Sequence, residues 1–307
     1  MSNQEIKRVA IIGTGAVGGY YGAKLASSGV ELHFLARSDA DVIKENGLKV
    51  ESLKDDDIHL TDVNVYSSAS EMPVCDLALI TLKTTANHAL NKILSEVTDE
   101  DTILCSLQNG YGLEQDLVNQ FPNNPVIGGL CFICSQKIQP GVIQHQDFGS
   151  IRFADHNAGA EILEQVSNLF SESEIPTQTA ESLEQARWEK LVWNVPFNGL
   201  SVILDATTKE MLDDDKARAL IKTIMLEVIS AANAHDCYIA TDFADKLLSL
   251  TDDMSPYFPS MKGDFDQCRP MELVSIYEAP ILAGKEMGIE MPQTIMLSQL
   301  LSYMDHG

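Results

Sequence analysis

Residues 8–18 narrow the choice of fold more than any other stretch. Arg8-Val9-Ala10-Ile11-Ile12 is the apolar run of a strand covered on both faces, and Gly13-Thr14-Gly15-Ala16-Val17-Gly18 follows without a break. A helix over 20–28 closed by Gly29 comes next, then a second apolar run over 30–35. Strand, glycine turn, helix and strand within about 30 residues make a βαβ unit, and that context gives GxGxxG its meaning. Gly13 permits a tight turn, Gly15 lets backbone approach a pyrophosphate, and Gly18 lets the helix close on the strand. The N–H groups and partial positive charge of a helix start favour that phosphate, so Gly13, Thr14, Gly15, Ala16, Val17 and Gly18 read as a dinucleotide cradle.

The end of the second strand chooses between the two nicotinamide dinucleotides. A chain that bonds the ribose 2′-hydroxyl carries Asp or Glu there. Here Leu35-Ala36-Arg37-Ser38 present a guanidinium and a hydroxyl, which suit a 2′-phosphate, although the acids Asp39 and Asp41 stand close by. The expected cofactor is NADP(H).

Short alternating pieces at 49–52, 58–60 and 63–65 surround the solvated turn Asp55-Asp56-Asp57. Apolar strands over 75–81 and 102–107 then run into Leu82-Lys83-Thr84 and Gln108-Asn109-Gly110. Open α/β sheets hold ligands just past the carboxyl ends of their strands, which makes Lys83 and Asn109 candidate contacts of the cofactor rather than a surface lysine and a turn. Runs at 126–133 and 142–153 extend the sheet as a hairpin on which His145 alternates; a helix over 160–170 and a last strand at 177–179 follow. From about 182 the pattern is helical, with helices expected over 214–236, 241–251 and 272–287, the last kinked at Pro280. The reading is two domains, 1–181 and 182–307.

In the second half, Lys190, Asn194 and Asn198 recur every four residues, so one helix face carries an ammonium and two carboxamides among Val192, Trp193, Val195 and Phe197. Such groups are costly to bury unless something polar meets them. Pro196 should bend or break this helix. Beyond it, 255–272 reads as a polar connection holding Ser260, a candidate hydrogen-bond donor, and Glu272, a candidate carboxylate. A helix N-cap and a first-turn acid account for those two equally well.

Composition excludes some partners. A formal net charge of −24, from 21 Lys and Arg against 45 Asp and Glu, argues against nucleic acid and anionic membrane. Apolar runs fall short of the roughly 18–20 residues of a membrane span, and residues 1–8 read as no cleavable signal. Cys75, Cys105, Cys131, Cys134, Cys237 and Cys268 sit mostly in apolar runs, like reduced thiols of the cytoplasm. In a regular strand the two sulfurs of Cys131-Phe132-Ile133-Cys134 point to opposite faces, and no other ligand spacing appears, so no metal is expected.

Taken together, these residues resemble the ketopantoate reductases (2-dehydropantoate 2-reductases). The match runs through nearly the whole chain: Gly13–Gly18, Lys83-Thr84, Gln108-Asn109-Gly110, the Trp188-x-Lys190-Leu191-x-x-Asn194-x-x-x-Asn198 pattern, and Ser260-Met261 followed by Arg269-Pro270-x-Glu272. The resemblance implies a Rossmann-type doubly wound α/β domain for NADPH followed by a smaller all-α domain. It implies Lys190 as the catalytic lysine with Glu272 as its acidic companion, and Asn109, Asn194, Asn198 and Ser260 as contacts of a 2-oxo acid; a homodimer is compatible with it. Where the family has a hydroxyl residue before the glutamate and an acid two after it, this chain has Met271 and Val274. That departure leaves room for a paralogous reductase or opine-type dehydrogenase acting on another oxo acid or imine. A non-catalytic NADP-binding sensor needs none of the Lys190, Asn194, Asn198 and Glu272 set.

Overall fold

The computed structural model describes residues 5–305. The chain divides into two compact units, Met1–Gln108 with Leu113–Leu183, and Asn109–Gly112 with Glu184–Gly307. Four residues of the span 1–181 therefore cluster with the second unit.

Among the described residues the first unit is built on ten strands: β1 (Arg8–Ile12), β2 (Glu31–Leu35), β3 (Leu48–Ser52), β4 (Ile58–Leu60), β5 (Asn64–Tyr66), β6 (Leu77–Ile80), β7 (Ile103–Ser106), β8 (Val126–Gln139), β9 (Val142–Asp155) and β10 (Thr177–Ala180). They form one sheet in the order β4-β3-β9-β8-β7-β6-β1-β2-β5, with β10 beside β9. From β5 to β8 neighbours are parallel; β9 returns antiparallel to β8, and β3 and β10 run parallel to β9. Its helices are α1 (Ala16–Leu25), α2 (Ala40–Asn46), α3 (Leu90–Val97), α4 (Leu113–Gln120) and α5 (Ala160–Glu172).

Alternation along β1 explains the two layers. Val9 and Ile11 pack with Tyr21 of α1, Ile43 of α2 and Phe170 of α5, whereas Ala10 and Ile12 pack with Leu94 of α3 and Leu117 of α4. With both faces covered, β6 and β7 are buried at every residue. Parallel register sets the carboxyl ends side by side, since Ile12 is level with Leu35 and Ile80, and Ile80 with Ser106. On β8 a register shift at Phe132/Ile133 interrupts the regular alternation expected between Cys131 and Cys134; both are buried.

The second unit holds α6 (Leu183–Leu204), α7 (Thr208–Asp213), α8 (Asp215–Ala234), α9 (Asp242–Asp252), α10 (Ser260–Asp266), a π-helical turn (Val274–Glu278), α11 (Ala279–Glu286) and α12 (Pro292–Met304). Its core gathers Trp188, Phe197, Met225, Val228, Ile276 and Tyr277. Pro196 does not break α6, which runs through 22 residues. The buried Tyr277 hydroxyl donates to the Val195 carbonyl at 2.9 Å, so a side chain from the π turn supports α6 beside its proline.

Two further expectations change here. Residues 273–286 are helical throughout, but the irregularity is a π turn at Val274–Glu278, and Pro280 follows that turn directly. The stretch 255–272, expected as a connection, contains α10. That short helix is fixed by tertiary contacts, with Lys262 Nζ paired to Asp205 at 2.8 Å and to Asp266. Likewise α12 is started from outside itself. Glu227 of α8 accepts from the N–H groups of Gln293 and Thr294, at 3.0 and 2.9 Å, and from the Thr294 hydroxyl. Among the described residues, no helix is long and apolar enough to cross a membrane.

Candidate active site residues

In the first unit the glycine turn is locked from three sides. Gly13 has φ +107°, and its N–H donates to Ile11 O at 3.1 Å, which sets a tight turn at the end of β1. Thr14 ties that turn to β2, since both its N–H and its hydroxyl donate to Leu35 O at 3.1 Å. Thr81, just past β6, donates its hydroxyl to Gly13 O at 2.6 Å and to Ile12 O at 3.1 Å. A Cβ at Gly18 would lie 2.2 Å from Gly13 O and 2.4 Å from that Thr81 hydroxyl, which is why the helix needs glycine there.

Gly15 behaves differently. A Cβ there would meet nothing within 4 Å, so its backbone borders open space where a phosphate can approach. Gly15 is the N-cap of α1, no side chain caps it, and the first turn carries no acid. The helix start therefore offers its N–H groups and dipole to an anion. These residues fit the diphosphate of a dinucleotide.

Along the same edge, Arg37 is exposed past β2 and pairs with no carboxylate among the described residues. Lys83 is exposed past β6 and starts the turn Thr84–Ala89. Gln108, past β7, donates to Leu82 O at 2.8 Å and to Asn87 Oδ1 at 2.6 Å, so one loop fixes the other. Sequence reasoning did not assign Thr81 or Gln108 these roles; their place at strand ends was the available signal. His145 is a buried strand residue, donating Nε2–H to Phe148 O at 3.0 Å, with Nδ1 2.8 Å from the Ser52 hydroxyl.

In the second unit α6 carries Lys190, Asn194 and Asn198 along one face. Leu191, Val192, Val195 and Phe197 around them are buried in the core. Lys190 is half-buried, while Asn194 and Asn198 are only 6% and 3% exposed. Neither carboxamide makes a side-chain hydrogen bond among the described residues. Neither carboxamide is among the fully buried polar groups, so both can still meet solvent or a ligand. Glu272 is buried immediately before the π turn, and Ser260 is exposed at the start of α10. Of the two departures from the family pattern, Met271 is buried in the core and Val274 is exposed.

Asn109 is half-buried, and its carboxamide likewise makes no hydrogen bond among the described residues. The residues after it are clamped. Tyr111 N–H donates to Ser275 O of the π turn at 3.0 Å, its hydroxyl donates to Glu184 at 2.7 Å, and its ring lies 4.7 Å from Trp188. Burial, reinforced by Glu184, raises the Tyr111 phenol well above its usual range, so it stays a neutral donor. The second unit thus holds Asn109, Lys190, Asn194, Asn198, Ser260 and Glu272; the first holds residues 13–18, Arg37 and Lys83. Among the described residues no three His, Cys, Asp or Glu side chains gather as metal ligands.

Known families match both halves of this chain. The family model described as Ketopantoate reductase PanE/ApbA matches residues 9–158, and its C-terminal counterpart matches residues 182–305. A 2-dehydropantoate 2-reductase of Nostoc sp. is 41% identical over 305 residues, spanning 97% of this chain and 95% of that protein. The crystal structure of a 2-dehydropantoate 2-reductase from Geobacter metallireducens GS-15 superposes with a TM-score of 0.91 at 39% identity, covering 96% of this chain and 99% of that one. A D-mandelate dehydrogenase in complex with NADH shares the fold with a TM-score of 0.85 at 22% identity, covering 97% and 98% of the two chains. Family models that match both halves and a relative 41% identical over 97% of the chain agree: this chain belongs to the ketopantoate reductase family of oxidoreductases.

Proposed function

We propose that this protein reduces 2-dehydropantoate to pantoate, a 2-oxo acid to a 2-hydroxy acid, with NADPH as the electron donor. The observation that carries the reading is the stripe on α6. Two carboxamides with no hydrogen-bond partner among the described residues, beside a half-buried lysine, can serve a small polar ligand bearing oxygens, and the family supplies the class. Arg37, exposed and without a carboxylate partner among the described residues, supports the phosphorylated dinucleotide over NADH.

The bound dinucleotide supplies a hydride to the carbonyl carbon; the rest of the chemistry belongs to the chain. As the C=O π bond breaks, negative charge grows on the oxygen. The Lys190 ammonium stabilises that charge and then gives the oxygen its proton, completing the alcohol. Glu272, buried near the start of the π turn, is the acidic companion that the family pattern assigns to Lys190. Asn109, Asn194, Asn198 and the Ser260 hydroxyl orient the substrate carboxylate and hydroxyl without adding net charge.

The test is consumption of NADPH, followed by absorbance of the reduced nicotinamide, with 2-dehydropantoate against a panel of other 2-oxo acids. Turnover confined to 2-dehydropantoate supports the proposal, turnover of another acid reassigns the substrate, and turnover of none removes the enzyme reading. Lys190→Ala should lower kcat by about 10²–10³, the cost of deleting one transition-state donor. Near-full activity in that variant would refute the assignment of Lys190.

A further inference from the structure

Two signals of opposite sense meet at the end of β2. Arg37 and Ser38 suit a 2′-phosphate, whereas Asp39 is the residue type that holds a ribose 2′-hydroxyl. The structure gives Asp39 another engagement. Its side chain is only 6% exposed, and Oδ2 accepts from Lys137 Nζ at 2.8 Å and from the Gly141 N–H at 3.4 Å. Its Oδ1 accepts from the Ser38 hydroxyl at 2.7 Å. Lys137 lies 98 residues away, near the end of β8, and Gly141 forms the turn into β9. Both carboxylate oxygens are therefore bound where α2 meets the β8–β9 hairpin, while Arg37, two residues back, has no carboxylate partner among the described residues.

We infer that Lys137 is a cofactor-selecting residue: by holding Asp39 against the hairpin, it leaves Arg37 unpaired to receive a 2′-phosphate. Without that ammonium, the carboxylate has two outlets, and both disfavour the phosphate. It can turn to Arg37, the cation nearest in sequence, or to the ribose hydroxyls, where it repels a dianion and favours the unphosphorylated cofactor. Like charges roughly 7 Å apart at an effective dielectric near 20 repel strongly enough for about a tenfold or greater loss of affinity. A hairpin anchor with no part in selection would instead affect both cofactors alike. The inference rests on the NADPH reading, so its test must fail in a recognisably different way.

The test is calorimetric binding of adenosine 2′,5′-bisphosphate and of adenosine 5′-monophosphate, which differ only in the 2′-phosphate, by the full chain. Lys137→Met should lose about tenfold or more in affinity for the bisphosphate and less than about twofold for the monophosphate. The double variant Asp39→Asn/Lys137→Met should recover the bisphosphate, because the released carboxylate is gone. Equal losses for both probes, an unchanged bisphosphate affinity, or no recovery in the double variant overturns the inference. Should Lys137→Met fail to fold, Asp39→Asn alone decides: retained discrimination supports the proposal, and weakened discrimination refutes it. If the wild-type chain binds both probes equally, the NADPH reading falls first and takes this one with it.

Discussion

Gly110→Ala tests whether the clamp on the segment Asn109–Gly112 governs substrate binding. Gly110 has φ +124°, a region costing an L-residue about 1–2 kcal/mol. A Cβ there would stand 2.4 Å from Ser275 Cβ, 2.7 Å from its carbonyl oxygen and 2.8 Å from its hydroxyl, and overpacking of that kind adds about 1–3 kcal/mol. The strain of roughly 2–5 kcal/mol must be set against what holds the segment down. The Tyr111 N–H bond to Ser275 is worth about 1 kcal/mol, and the Tyr111–Trp188 ring contact about 0.5–1.5 kcal/mol. Tyr111 to Glu184 lies toward solvent and adds little. Strain matches or exceeds the tether, so the segment shifts while the core of the unit, centred on Phe197 and Tyr277, stays intact. The expected result is a rise of about tenfold in KM for the oxo acid, since Asn109 moves with its segment, and a cofactor Kd within about twofold of wild type. Tryptophan emission should change as Tyr111 leaves Trp188. Ser275→Gly in the same chain removes two of the three clashes and should recover part of the loss. An unchanged KM, or a loss confined to the cofactor, would refute the role given to Asn109.

Three other outcomes separate roles that look alike in sequence. Gly15→Ala should leave melting temperature nearly unchanged but weaken cofactor binding, since its Cβ meets only open space, whereas Gly18→Ala should lower both, because its Cβ meets Gly13 O; calorimetry and thermal melts distinguish them. Native protein should titrate about one thiol with Ellman's reagent, Cys268, against six after denaturation; Cys75 and Cys134 are pushed up to about 12 and Cys237 to about 11, chiefly by burial. Burial would raise Asp39, but the hydrogen bonds from Lys137 and Ser38, the Lys137 charge and the Gly141 N–H outweigh it and hold the carboxyl below its ordinary 3.8. A depressed folded-state value stabilises above that ordinary value and is lost as pH falls through the lower one. The stability gap between wild type and Asp39→Asn, read by urea unfolding, should therefore close below about pH 4.

The sheet was largely legible because each signal behind it is local. Buried parallel strands announce themselves as short apolar runs, and the glycine turn carries its own backbone geometry. What escaped was fixed by distant partners. The start of α12 depends on Glu227, some 66 residues upstream, and α10 depends on Lys262 reaching Asp205. Neither helix has a strong signal of its own. Pro196 was read by a local rule that holds for isolated helices; α6 is unbroken there, and the Tyr277 hydroxyl at Val195 is the tertiary contact that supports it.

The candidate site divides along the same physical line. Lys190, Asn194 and Asn198 could be picked out because a polar stripe within an apolar helix conflicts with burial, and such conflicts mark function. Glu272 offered no conflict, being a single acid before a helix, and only the resemblance to a family gave it a role. The π turn was invisible in sequence, because one extra residue per turn leaves no mark in a hydrophobic pattern. Yet that turn presents the Ser275 carbonyl to Tyr111 N–H and carries Tyr277, whose hydroxyl meets α6. Such an insertion survives at a cost in helix regularity, and these bulges concentrate where a site needs a group placed off the regular helical positions. Here it serves two elements at once, the segment bearing Asn109 and the helix bearing Lys190, Asn194 and Asn198. Tyr277→Phe, which keeps the ring and removes only the bridging hydroxyl, should therefore raise oxo-acid KM more than it lowers stability. An equal loss in both would mean that the π turn merely packs.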